Sequence, residues 1–377
     1  MLRIGAWPRV VIVALAAVAL LLPMAVTALN APAQAASHRK PRWTPHYRDY
    51  VAMGDSWSAD IVLFDSDGLP DTRYVPIGCL QRHRDYPKLV ESALKIPRFA
   101  DATCGSATTD NMTRPQAVMG GGTNPPQFNR LTSRTDLVTI GIGGNDAKFA
   151  SGALSCLNLL PFNNAALGNL PELPIELPLF SSQPPIGGCK ERFVRNGHDQ
   201  LAQYVAQSEP KVVRTLQQIH QRAPHARVLL VNYLDGIPAH GCWPLLPLSD
   251  EDVVYLHGVF LKLNNMLRRA ARKGGARLVD TYAQSHGHDA CTSPLTRYVE
   301  GIGLLSLNGG PAIAVPAHPN QAGAEAQARY VLAAARKAPA VLTPGKCRAA
   351  KHARKHAHTR KKRKKANKRV ATACRKA

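Results

Sequence analysis

Tyr50-Val51-Ala52-Met53-Gly54-Asp55-Ser56-Trp57-Ser58 is the stretch on which the reading of this chain turns. Four residues suited to a short buried strand run directly into a Gly-Asp-Ser turn. A serine in that place stands at the C-terminal end of a strand, the edge where open α/β sheets hold their ligands. Its hydroxyl is a poor nucleophile at neutral pH unless a base lies in hydrogen-bond reach and donors face the oxyanion that forms. Taken alone, Gly-Asp-Ser is more often a plain turn, because all three residues favour turns. The rest of the chain has to decide.

Outward from Ser56 the chain alternates strand-like and helix-like segments. Apolar residues recur at helical spacing over Tyr86 to Lys95, Leu201 to Gln221 and Asp250 to Lys273, and an alanine-rich helix is expected over Asn320 to Lys337. For the third of these, Ser249 or Asp250 is the N-cap and Gly274-Gly275 the stop. Strands are expected at Arg98 to Cys104, Asp136 to Ile140, Arg227 to Asn232 and Arg277 to Asp280. Strands separated by helices predict an α/β fold in three layers, an α/β/α sandwich around a central parallel sheet. Two stretches, Ala150 to Gly188 and Ile237 to Leu248, are rich in Pro, Leu and Asn and keep no period. Both carry cysteines, so they read as stapled loops able to wall an apolar cleft, with surface decoration as the plain alternative.

The 377 residues, 45% of them hydrophobic, can bury a full core. A net charge of +23 suggests a polyanion partner until it is located: 15 of the 48 Lys and Arg residues lie in Lys346 to Ala377, which holds no Asp or Glu. That composition predicts a disordered basic tail over 344–377, with cell-wall polyanions, an anionic membrane surface or extracellular nucleic acid as its partners, and a solubilising extension with no dedicated partner as the plain alternative. At the other end, Arg3, Arg9, the apolar run Val10 to Leu22 and Ala33-Gln34-Ala35 read as a signal peptide over 1–35, with a retained membrane anchor as the alternative. A flexible segment over 36–49 then leads into a domain spanning 50–343. Eight cysteines outside any metal or redox spacing fit an oxidising compartment, hence a secreted protein, and local order suggests Cys79-Cys104, Cys156-Cys189 and Cys242-Cys291 as pairs. Cys347 and Cys374 flank the tail without an assigned pairing.

Three further segments could serve Ser56. Gly141-Ile142-Gly143-Gly144-Asn145-Asp146 closes the third strand, where Asn145 offers a neutral amide donor or, more blandly, a helix cap. Cys104-Gly105-Ser106-Ala107 closes the second and offers a glycine N–H. Pro316-Ala317-His318-Pro319-Asn320 precedes the last helix, and prolines on both sides of a histidine limit its backbone freedom, which suits a base that must point one way.

In this order, Gly-Asp-Ser, a glycine, Gly-Gly-Asn-Asp and His-Pro-Asn resemble the SGNH (GDSL-type) hydrolase family, and the cysteine placement resembles its secreted bacterial esterase/lipase branch with three disulfides. The resemblance runs from about Tyr50 to Lys337. It implies a flavodoxin-like sandwich and acyl-enzyme chemistry with no metal or organic cofactor. Ser56 would be the nucleophile and His318 the base; the N–H of Ser56, the N–H of Gly105 and the side-chain amide of Asn145 would hold the oxyanion. Many members carry an Asp three residues before the histidine; here that position is Val315, so a backbone carbonyl, assigned to Val315, would orient the ring in a Ser-His dyad. Asp280 and Asp289 remain as other third members. Asp60 stands where glycine is more usual, so the turn after Ser56 is expected to differ. The implied substrate is an ester, with lipid acyl esters favoured by the Leu/Pro-rich stretches and a monomer expected. A carbohydrate deacetylase or acyltransferase, or a polyanion-binding protein with an inactive hydrolase domain, stays open.

Overall fold

β1 (Asp49–Gly54) is buried along its whole length, as a strand covered on both faces must be. The computed structural model describes residues 46–156, 189–243, 245–337, 352, 354 and 359–373; the signal segment, most of Ala150 to Gly188, Cys347 and Cys374 lie outside them. β1 pairs in parallel with β2 (Arg98–Asp101) on one side and β3 (Leu137–Gly141) on the other. β4 (Arg227–Val231) and β5 (Arg277–Val279) extend the sheet, again in parallel, giving the order β2-β1-β3-β4-β5.

The period of two along the strands sorts their side chains into two cores. Val51, Met53, Val138, Ile140, Val228 and Leu230 face one layer, formed by α2 (Gln200–Arg222) and α3 (Asp250–Gly274). Tyr50, Ala52, Leu137, Leu229 and Val231 face the other, formed by α1 (Tyr86–Leu94) and α4 (Gln321–Arg336). The chain is thus the expected three-layer sandwich. Its helices start on side-chain caps: Asp85, Ser249 and Asn320 accept from the N–H groups of Lys88, Asp252 and Gly323. Gly274 stays inside α3, pressed so close to Leu216 that a Cβ would come within 2.6 Å of it, and Gly275, at φ 80°, ends the helix.

In a sheet of this order the strand connections diverge between β1 and β3, and that crevice at the carboxyl edge is where ligands bind. The loops carrying Ser56 and Asn145 both leave from it. β2 is shorter than expected, although the N–H groups of Ala102 and Cys104 still bond the carbonyls of Ala52 and Gly54.

Three disulfides form, Cys79-Cys104, Cys156-Cys189 and Cys242-Cys291. Cys156 belongs to the first aperiodic stretch and Cys242 to the second. A small antiparallel sheet of Leu305–Ser306, Ala312–Ala314 and Val62–Phe64 is new, its strands too short for a period to register. Within the basic tail Arg360–Ala373 is helical, with the Thr359 hydroxyl and carbonyl accepting the N–H groups of Lys362 and Arg363. Low hydrophobicity argued for disorder, yet Lys, Arg and Ala are strong helix formers.

Candidate active site

Ser56 reaches the crevice because β1 and β3 close on one another at its base. Gly54 takes φ 142°, and a Cβ there would sit 2.3 Å from the Gly141 carbonyl, so only glycine fits. The Gln127 side chain clamps the Gly54 N–H and carbonyl at 2.8 and 2.9 Å, and Asp55 N–H bonds the Gly141 carbonyl at 3.0 Å. Asp60 sits in the turn after Ser56. It adopts φ 44°, the left-handed conformation a glycine would take, which Asp tolerates, and its carboxylate accepts the Tyr86 N–H at 2.7 Å.

His318 arrives from the far end of the chain. Its Nε2 lies 2.8 Å from the Ser56 Oγ, and its Nδ1 lies 2.7 Å from the Pro316 carbonyl. The carbonyl assigned to Val315 is therefore that of Pro316. Ala317 at φ 58° turns the chain so that the ring folds back over the residue two before it. Asp280 caps a short helix and pairs with Arg268 and Asn232, and Asp289 accepts the Cys291 N–H, so neither carboxylate partners His318. Burial holds the His318 pKa down to about 4, against the Pro316 hydrogen bond that raises it. The ring is neutral at pH 7 and able to accept a proton.

Donors for an oxyanion differ from the expectation at one position. Asn145 donates to the Ala107 carbonyl at 2.9 Å, which fixes the amide and leaves its second N–H. The Ser56 N–H carries no partner among the described residues. Gly105, however, is fully committed: its N–H bonds the Cys79 carbonyl at 2.9 Å and its carbonyl accepts Gln116 at 2.6 Å. The Cys79-Cys104 disulfide draws these segments together, and a Cβ on Gly105 would lie 3.1 Å from the Cys79 carbonyl. Its neighbour Ser106, at φ 62°, has an N–H without a partner among the described residues.

Tyr233, just beyond β4, went unnoticed in the sequence. Its hydroxyl accepts the Gly144 N–H at 2.7 Å and donates to Asp55 at 2.6 Å, tying the loop after β3 to the residue before Ser56. A Cβ on Gly144 would meet that hydroxyl at 2.7 Å, so this glycine makes room for a tyrosine. Burial pushes the Asp55 carboxyl up to about 7, with the Tyr233 hydrogen bond pulling it back. The signal was a polar ring at a strand's carboxyl end, which no local pattern distinguishes from a core tyrosine.

Ser56 and His318 open onto a common pocket. Polar groups converge at one end, where Asp55, Ser56, Asn145, Tyr233 and His318 meet; the remaining wall is apolar, with Phe149, Leu154, Leu248, Phe260, Leu263 and Ile302. Both aperiodic stretches contribute to it, the first through the helix Phe149–Leu154 and the second through Ile237, Leu246 and Leu248.

Comparison with known proteins gives the same address. A family model described as "GDSL-like Lipase/Acylhydrolase family" matches residues 52–326. The chain is 33% identical over 301 residues to "Lipase 2" of Streptomyces coelicolor, covering 79% of this chain and 89% of that protein. Among solved structures it resembles phospholipase A1 from Streptomyces albidoflavus NA297, with TM-score 0.53 and 21% identity over 77% of this chain and all of that one. The extracellular lipase from Streptomyces rimosus aligns with TM-score 0.52, 21% identity and the same coverage. At these identities the two structures speak for the fold alone.

Proposed function

Since the chain belongs to the GDSL-like lipase/acylhydrolase family and is a carboxylic ester hydrolase, we propose that it cleaves lipid acyl esters through an acyl-enzyme formed on Ser56. The observation that carries this is the 2.8 Å contact between Ser56 Oγ and a neutral His318 at the mouth of an apolar pocket. His318 Nε2 takes the hydroxyl proton as Oγ attacks the ester carbonyl, and the Pro316 carbonyl steadies the imidazolium that results. The oxyanion is held by the N–H of Ser56, the Asn145 amide and the N–H of Ser106, which stands in for Gly105. Each such donor lowers the barrier by about 3 kcal/mol. The proton then passes to the departing alcohol, and His318 deprotonates a water that attacks the acyl carbonyl and returns Ser56.

A wall this apolar favours a fatty acyl chain over an acetylated sugar, because burying methylenes is where such a pocket gains affinity. Three disulfides support secretion, since these bonds persist in oxidising compartments. The unbroken basic run Arg360 to Lys365, exposed on its helix, suits retention on cell-wall polyanions or an anionic membrane, in a salt-dependent way. Deleting Lys346 to Ala377 should abolish that retention and leave soluble ester turnover intact; equal loss of both would make the tail part of the fold.

The deciding experiment is hydrolysis of p-nitrophenyl esters from acetyl to palmitoyl by the wild type, Ser56→Ala and His318→Ala. Turnover should fall by about 10³-fold or more in each variant, with the double variant no worse than either alone. A preference for the shortest esters would sink the fatty-acyl reading. A variant that retains activity would remove that residue from the mechanism.

A further inference from the structure

The small antiparallel sheet has an outer face that nothing in the site's chemistry uses. Its register sets Leu305, Ile313 and Phe64 side by side across the three strands. They are 60%, 46% and 48% exposed, whereas Ser306, Ala312, Ala314 and Val62 are buried beneath them. Leu304 and Leu307 are exposed beside them. An exposed edge strand is normally blunted with charge. Here no Asp, Glu, Lys or Arg stands between Glu300 and His318.

This ridge and the pocket mouth belong to one stretch of chain. The strand Ala312–Ala314 runs on into Pro316 and His318, Ala314 N–H bonds the Leu304 carbonyl at 2.7 Å, and Ile302, two residues before Leu304, lines the pocket. Five apolar side chains are far fewer than the roughly 20–30 residues a side that a stable protein interface employs. A lipid surface asks for less, since a few inserted side chains suffice when charge attraction adds to them. The basic tail, with 15 of the chain's 48 Lys and Arg residues and no Asp or Glu between Lys346 and Ala377, supplies that attraction toward an anionic surface.

We propose that Phe64, Ile313 and Leu305 form the ridge on which the protein sits on an anionic lipid surface, bringing the mouth beside His318 to the lipid. The role deepens the lipid-ester reading of the site and rests on it for its purpose, though the docking can be measured without catalysis. The test is co-sedimentation of the full chain with phosphatidylcholine vesicles containing phosphatidylglycerol, for the wild type, Ile313→Ser and the double variant Phe64→Ser/Leu305→Ser. Sedimentation should fall by about tenfold or more in the variants, with turnover of p-nitrophenyl butyrate in solution kept within about twofold, since none of the three residues lines the pocket. Unchanged sedimentation would overturn the proposal. So would a parallel loss of soluble turnover, which would place the ridge in the fold, or a wild-type dimer that Ile313→Ser dissociates, which would make a second copy the occupant. A wild type that sediments through the ridge but turns over no ester would leave the docking surface standing and remove the proposed function instead.

Discussion

Ser56 and His318 meet at 2.8 Å, yet the two are held by different kinds of structure. Ser56 stands on the sheet itself. Its loop is pinned by backbone bonds to β3 and by the Gln127 clamp on Gly54, all within the parallel core. His318 hangs on a loop with little regular structure, bonded to the 298–301 segment: Ala317 N–H to the Glu300 carbonyl, Glu300 N–H to the His318 carbonyl, and Asn320 N–H to the Tyr298 carbonyl. Beneath it lies a buried polar cluster in which Glu300 pairs with Arg297 and accepts from Ser306 at 2.7 Å and Asn320 at 2.8 Å. Ser56 is fixed by the fold's regular part and His318 by a handful of buried polar contacts. Damage to the cluster should therefore disarm the site while the sheet survives.

The largest effect expected follows from Glu300. It is fully buried, and Arg297 is 5% exposed, so Glu300→Ala leaves a buried guanidinium without its partner, a loss of about 3–5 kcal/mol. Denaturant unfolding should record that loss, and ester turnover should fall with it because the His318 loop is loosened. Full stability in Glu300→Ala would break the comparison outright. On the nucleophile's side the counterpart is Asn145→Ala, which should lower kcat by about 10²–10³-fold through loss of an oxyanion donor, with a far smaller change in unfolding. If Asn145→Ala instead unfolds the chain, its bond to Ala107 matters more than its free N–H.

The same contrast explains what could be read from the sequence. The parallel sheet, the four long helices and the Ser56 address were legible because strand burial, helical spacing and the Ser249 cap are local signals. His318 was legible through its flanking prolines and the order of motifs. The carbonyl it uses was not: counting residues points to Val315, whereas the left-handed turn at Ala317, which a sequence does not announce at alanine, selects Pro316. Gly105 misled in the opposite sense. A glycine invites an oxyanion role, but here it lets the backbone pass the Cys79 carbonyl, and the left-handed position falls to Ser106. Tyr233 and Gln127 act across separations of 73 to 178 residues, and Glu300 gathers partners 3 to 20 residues away, through pairings that no local period records.

A smaller effect is expected at the strut between the two loops of the nucleophile's side. Tyr233→Phe keeps the ring packed edge-on against Trp57 but strips the partner from the Gly144 N–H and from the Asp55 Oδ2, while Asp55 Oδ1 keeps the Trp57 N–H. Leaving such groups unpaired costs about 1–3 kcal/mol, and about a tenfold fall in kcat with little change in KM would locate that cost in positioning rather than binding. A KM effect of the same size would mean that the hydroxyl contacts substrate.

The smallest effect expected is a response to pH that an ordinary histidine would not allow. With its pKa held at about 4, His318 stays neutral down to pH 5.5, so kcat/KM on a soluble ester should be nearly flat from pH 7.5 to 5.5 and fall only as pH drops through about 4. An imidazole at its ordinary value near 6.5 would be about nine-tenths protonated at pH 5.5, losing roughly tenfold in rate. Asp55, pushed up to about 7, titrates inside the same window, and Asp55→Asn separates the two: a step near 7 that disappears in this variant belongs to Asp55, while the limb near 4 should remain. The stability signs are opposed. Between about 4 and 7 the folded Asp55 holds a proton that the unfolded chain has released, so its contribution weakens as pH rises; the unfolded chain protonates His318 below about 6.5, so its contribution weakens as pH falls toward 4. A wild-type acid limb near 6.5 would show that the base is held in water rather than in the apolar pocket, and the small sheet and Glu300 cluster would then be supporting something other than a desolvated histidine.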